Sequence, residues 1–175
     1  RAAALAAALS LPLGLIFARL VYCFIDPAFR PFLSLKNVLD LGTGGFSMYG
    51  ALAGAVVAAL TAARITRFNS ARLLDLSAPA LAAFLIPARL GEGFTALGIS
   101  RPLTTDWLAD SFLAVRGDYD AYLRTWLLEA LAALVILLLL LRRLKAGGRD
   151  GRVFSLACLL YGVTQTLFES LRNDG

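Results

Sequence analysis

Ionisable side chains lodged in apolar sequence are where chemistry must be sought in this chain. Arg19, Arg89, Glu129 and Glu169 each fall within or at the edge of an apolar block, and the amide of Gln165 lies one helical turn before Glu169. A charge in such surroundings is expensive unless it is paired or put to use. Two arginines and two or three acids at one depth could pair with each other. A surplus guanidinium among them would attract phosphate, because its planar fork matches two phosphate oxygens. In a membrane setting, a phosphate-grade arginine points to a phospholipid headgroup. The plainer alternative is a set of interhelical salt bridges that bind no ligand.

The elements that must position these groups follow from composition. The chain has 175 residues, 59% of them hydrophobic, against about 45–50% for a soluble domain. The excess is gathered into blocks long enough to cross a bilayer, which takes about 20 helical residues. Five blocks are legible, at about 2–24, 46–63, 73–90, 126–141 and 153–171. The expected fold is therefore all-α, a polytopic transmembrane bundle of about five spans in a single domain over 1–175. The second block is rich in Gly and Ala, which lets helices approach closely. The third contains Pro79 and Pro87 and is expected to kink; a half-span or re-entrant segment is the alternative. The start at Arg1 and the abrupt Asn173-Asp174-Gly175 suggest a piece cut from a longer chain.

Charge assigns the sides. The short links after the second and fourth blocks are dominated by Arg64, Arg67 and Arg72, and by Arg142, Arg143, Lys145, Arg149 and Arg152. Such links stay cytoplasmic. The segments 27–45 and 91–125 then face the other side. The second of these mixes Asp106, Asp110, Asp118 and Asp120 with Arg101, Arg116 and Arg124. Trp107, Tyr119, Tyr122 and Trp126 there suit a membrane interface. In this topology Arg19, Arg89, Glu129 and Glu169 all converge on the outer half of the bundle. Tyr161, Gln165, Glu169 and Arg172 recur at helical spacing and form one stripe. Gly44, Gly45 and Gly50 bracket the start of the second block, where glycine permits close backbone approach. Tyr49 would sit near the charged cluster, either as a participant or as an interfacial anchor.

Several classes are excluded or disfavoured. With no histidine and no paired cysteine spacing, neither a metal site nor a disulfide framework is expected; Cys23 and Cys158 read as small buried residues. No cofactor is implied. The net charge of +5 fits basic loops against anionic membrane lipids and not nucleic acid. A small-solute transporter needs a polar path open to each side in turn, and the polar groups here crowd one half.

The order of motifs resembles the prolipoprotein diacylglyceryl transferase family. The resemblance is carried by Leu15-Ile16-Phe17-Ala18-Arg19-Leu20-Val21-Tyr22 and Gly44-Gly45-Phe46-Ser47-Met48-Tyr49-Gly50-Ala51-Leu52-Ala53-Gly54. It continues through Asp75-Leu76-Ser77-Ala78-Pro79, Ala88-Arg89-Leu90-Gly91, Glu129, and Tyr161-Gly162-Val163-Thr164-Gln165-Thr166-Leu167-Phe168-Glu169-Ser170-Leu171-Arg172. These pieces look like the family's second to sixth membrane helices. The resemblance implies a bacterial inner-membrane enzyme with its site on the extracytoplasmic side. Such an enzyme moves a diacylglyceryl group from phosphatidylglycerol to the lipobox cysteine of a prolipoprotein signal peptide. Arg89 resembles the family's phosphate-contacting arginine. Tyr161 resembles the tyrosine that opens the last motif. Glu129, Glu169 and Arg172 resemble residues that hold the site together. Three positions depart from the pattern: Tyr49 stands for a histidine, Glu92 for an asparagine and Gln165 for an arginine. The proton acceptor is then to be sought among Tyr49, Tyr161 and Glu92. The alternative is an inactive lipid-binding or scaffold relative of the same fold.

Overall fold

The computed structural model describes residues 1–25, 38, 40, 42, 44–94, 99–103, 109–116 and 120–172. Trp107, Tyr119, Asp106 and Asp118 lie outside the described residues, as does most of the 27–45 segment. The chain divides into two compact units, 1–77 and 78–175. Each is built from apolar helices with small residues where they meet.

The first unit holds α1 (Ala2–Ile25), α2 (Met48–Thr66) and the start of α3 (Ser70–Glu92). Helices α1 and α2 cross at backbone contact because α2 offers no side chain there. A Cβ added at Gly54 would meet the Gly14 Cα at 2.8 Å, and one at Gly50 would meet the Ala18 Cα at 2.7 Å. Ser47 fixes where α2 begins. Its N–H donates to the Ala18 carbonyl at 3.0 Å, and its hydroxyl accepts from the Gly50 N–H at 3.4 Å. Such a cap satisfies donors a helix start leaves open. Helix α2 ends on Arg67 in the left-handed region, φ 54°. Asn69 then caps α3, its Oδ1 accepting from the N–H groups of Ala71 and Arg72 at 3.0 and 3.3 Å. Ala6, Ala59, Ala62, Ala63 and Leu73 form the buried core of this unit.

Helix α3 runs unbroken through both prolines and over its 23 residues is long and apolar enough to cross a membrane. Proline removes one N–H and frees the carbonyl a turn back; for Pro79 and Pro87 these are the carbonyls of Asp75 and Ala83.

The second unit holds the rest of α3, three short strands, α4 (Thr125–Ala146) and α5 (Arg152–Leu171). Strands β1 (Ile99–Pro102), β2 (Ala114–Arg116) and β3 (Ala121–Arg124) make an antiparallel sheet in the order β1-β3-β2. The sheet lies inside the segment read from sequence as a loop region. Strands of three or four residues carry too little alternation to announce themselves. Ala78, Ala82, Ile136, Leu140 and Val153 form this unit's core.

Helices α1, α2, α3 and α5 are each long and apolar enough to cross a membrane, and α4 carries the uncharged run 130–141. The chain is a multi-pass membrane protein. Helix α5 exposes Leu159, Val163, Leu167 and Leu171, one turn apart, as a face turned to lipid would. Cys23 is buried as expected, whereas Cys158 is exposed, because it lies on the helix with the least cover. Both are free thiols.

Candidate functional site

The second unit gathers the ionisable residues of three helices into one network. Arg89, near the C-terminal end of α3, is 5% exposed, and Glu129, one turn into α4, is equally buried. Arg89 Nε lies 2.8 Å from Glu129 Oε2. That contact is charge to charge: the N–H directions miss the oxygen, and Glu129 Oε2 has no aligned donor. The other two guanidinium nitrogens of Arg89 are better served. One lies 2.5 Å from Glu92 Oε1, and the other donates to Gln165 Oε1 at 3.0 Å. Gln165 Nε2 donates in turn to Glu169 Oε2 at 3.0 Å. Arg172, at the C-cap of α5, sends one nitrogen toward Glu92 Oε2 and Glu129 Oε1, each at 3.4 Å.

The stripe read on α5 is thus real in its consequences: Gln165 meets Glu169 along the helix, and Arg172 reaches the same acids as Arg89. Tyr161 lies two turns deeper. It lines a cavity of about 20 Å³ together with Arg89, Glu129, Gln165, Thr164 and Phe168, which is room for about one water.

Pairing of arginines with acids, one of the arrangements the sequence allows, is what these residues show: Arg89 and Arg172 meet two carboxylates, Glu92 and Glu129. An acid three residues after Arg89 on the same helix can fold back onto it, and it does. Glu92 was also a candidate proton acceptor; both of its oxygens are directed at guanidiniums.

Arg19 belongs to the first unit and is 3% exposed. Its Nε donates to the Val38 carbonyl at 3.2 Å. One terminal nitrogen donates to the carbonyls of Gly44 and Gly45, and the other to that of Asp40 at 2.8 Å. The rings of Tyr22 and Phe46 lie 5.9 Å from its Cζ. Gly44 and Gly45 both have positive φ, 71° and 76°, which turns their carbonyls toward the guanidinium. A Cβ at Gly45 would strike the Tyr22 ring. Gly44 and Gly45 therefore serve Arg19, while Gly50 serves the helix crossing. Tyr49 is 58% exposed on the first turn of α2.

Two residues escaped sequence reasoning. Ser100 is 5% exposed; its hydroxyl accepts from the Leu123 N–H at 2.8 Å, and its backbone bridges to Arg172. No local pattern marks it. Asp75 is 2% exposed within α3. Its signal was present, a lone acid inside an apolar block, but it was read only as part of a motif.

Comparison with known proteins fits this arrangement. A phosphatidylglycerol–prolipoprotein diacylglyceryl transferase of Frankia alni is 31% identical, over 94% of this chain and 45% of its own length. Its namesake in Finegoldia magna is 26% identical over 94% and 64%, and that of Listeria welshimeri 28% over 94% and 61%. The chain thus spans about half to two-thirds of the length of these relatives. The model of one family matches residues 3–175, nearly all of the described helices and the whole ionic network included, and the chain belongs to the prolipoprotein diacylglyceryl transferase family.

Proposed function

We propose that this chain is the site-bearing part of a phosphatidylglycerol–prolipoprotein diacylglyceryl transferase. The reaction joins the thiol sulfur of a lipobox cysteine to the diacylglyceryl carbon of phosphatidylglycerol. The carbon–oxygen bond to phosphate breaks, glycerol phosphate leaves, and the thiol proton passes to a base. The nucleophile is the thiolate, and it belongs to the substrate, so Cys23 and Cys158 need not react. The protein's task is to grip the departing phosphate with charge already in place. The observation that carries this reading is the buried Arg89 guanidinium, met by polar side chains of α3, α4 and α5 in a chain of this family.

Within the reading, Arg89 grips phosphate, with Arg172 beside it. Glu129 holds Arg89 in place, and Gln165 and Glu169 steady its far edge. Tyr161, beside Arg89 on the cavity wall, is the first candidate for proton transfer, ahead of Tyr49 and Glu92. Arg19 acts as an anchor for the backbone near Gly44 and Gly45. The site faces the extracytoplasmic side of the bacterial inner membrane, since the basic links 64–72 and 142–152 are held in the cytoplasm. The test is expression of the full-length protein in a strain depleted of its own transferase. Restored lipoprotein lipidation, with phosphatidylglycerol consumed by the purified protein, is expected. Failure of both removes the enzyme reading.

A second reading has one observation in its favour. Every edge of the Arg89 guanidinium already meets a protein group. A relative that binds lipid without reacting, or only packs helices, would look the same. The variants Gln165→Arg and Glu92→Asn separate the two: activity gained only with them assigns the natural chain to the inactive class.

A further inference from the structure

Among the four charged groups that meet in direct ion pairs, one is unlike the others. Side-chain exposure is 7% for Arg89, 4% for Glu129, 13% for Arg172 and 23% for Glu92. Glu92 is the last residue of α3. It follows Gly91, around whose Cα an added Cβ would meet nothing within 4 Å. Its two oxygens straddle the two arginines, one on Arg89 at 2.5 Å and one toward Arg172 at 3.4 Å. A single anion bridging two guanidiniums is also the geometry that a phosphate diester would adopt. Arg89 and Arg172 are touched directly by two carboxylates, Glu129 and Glu92, while Glu169 enters the network only through Gln165. Of the two that touch them, Glu92 is the more exposed.

From this we infer that Glu92 is a built-in occupant of a phosphate site formed by Arg89 and Arg172, and that it must swing out before a phosphate-bearing ligand binds. Glu129 is the permanent counterion and Glu92 the exchangeable one. The inference deepens the reading of Arg89 as the phosphate grip and rests on it. Its consequence is specificity: the chain favours ligands whose phosphate outcompetes a tethered carboxylate, and it keeps the arginines neutralised when no ligand is present.

The experiment measures binding to the purified full-length protein in detergent by calorimetry. The probes are short-chain phosphatidylglycerol, short-chain phosphatidylcholine and inorganic phosphate. The proteins are wild type, Glu92→Gln, Glu92→Asn and Arg89→Ala, each checked for folding by its melting temperature. Glu92→Gln and Glu92→Asn are expected to bind phosphatidylglycerol about tenfold more tightly, since one charge-assisted contact no longer competes. Where turnover is measurable, KM falls by more than kcat changes, a split that a merely structural role would not produce. A like gain for inorganic phosphate marks a site for free phosphate; a gain confined to the lipids marks a headgroup site. Either gain supports displacement. Unchanged or weaker binding in both Glu92 variants, with binding lost in Arg89→Ala, overturns the inference and leaves the phosphate grip standing. Binding that survives Arg89→Ala overturns both, and the complementation assay then judges the enzyme reading by itself.

Discussion

Two buried arginines are handled in opposite ways. Arg19 is surrounded by backbone: four carbonyl oxygens, two of them from glycines turned toward it, and two aromatic rings. Arg89 is surrounded by side chains: two carboxylates and an amide from three helices. Carbonyl dipoles are fixed by the path of the chain and cannot leave without unfolding it. Carboxylates on flexible stems can rotate away and be replaced. The difference separates a guanidinium held by fixed backbone from one held by side chains with rotatable stems, although both are almost wholly buried. Burial of a charge in a membrane protein marks a candidate; the nature of its partners sorts the candidates.

The sharpest way to break this comparison is to remove one side-chain partner of Arg89. Glu129→Ala leaves Arg89 buried and under-compensated, and is expected to cost about 3–5 kcal/mol. Thermal unfolding of the full-length protein in detergent measures it. Replacing both partners, Arg89→Met with Glu129→Leu, should recover most of that stability while abolishing phosphate binding. On the other side, Arg19→Met leaves carbonyls unserved at a cost of about 1–3 kcal/mol. Limited proteolysis should then cut near residues 38–46 well before global unfolding; unchanged resistance there would show that Arg19 does not fasten that segment. Gly54→Val drives a side chain into the Gly14 backbone and is expected to cost about 1–3 kcal/mol, without touching phosphate binding. The smallest effect is a gain. Arg67→Gly relieves a left-handed residue and should stabilise by about 1 kcal/mol, seen as a modest rise in melting temperature.

The helices were legible because hydropathy is written continuously along a span. The five blocks match α1 to α5 to within three residues at every end but one: α4 runs on to Ala146, five residues past its block, through the basic residues that hydropathy alone does not count as helix. The basic links were legible for the same reason: they are local. The Gln165–Glu169 pair could be read from spacing on one helix. The Arg89–Glu92 pair is of the same local kind, three residues apart on one helix. The second contact of Glu92 is not: its partner Arg172 lies 80 residues away, and no local pattern encodes that distance. The difference between Arg19 and Arg89 was hidden for a related reason. Both are lone arginines near the ends of apolar blocks, and only the glycine conformations at 44 and 45 reveal that one is claimed by backbone. The sheet was missed because its strands are too short to carry a period, and Ser100 because a serine's burial is a property of its neighbours.

Strand β1 also has a consequence beyond its length. It pairs with β3 along its course and, at Ser100, with the backbone of Arg172. The end of α5 is thereby stitched to the sheet through main-chain atoms, independently of its side chain. The guanidinium of the same residue meets Glu92 and Glu129. Arg172 thus carries two ties at once, a main-chain one to the strand and a side-chain one to the acids, and the first limits where the second can reach.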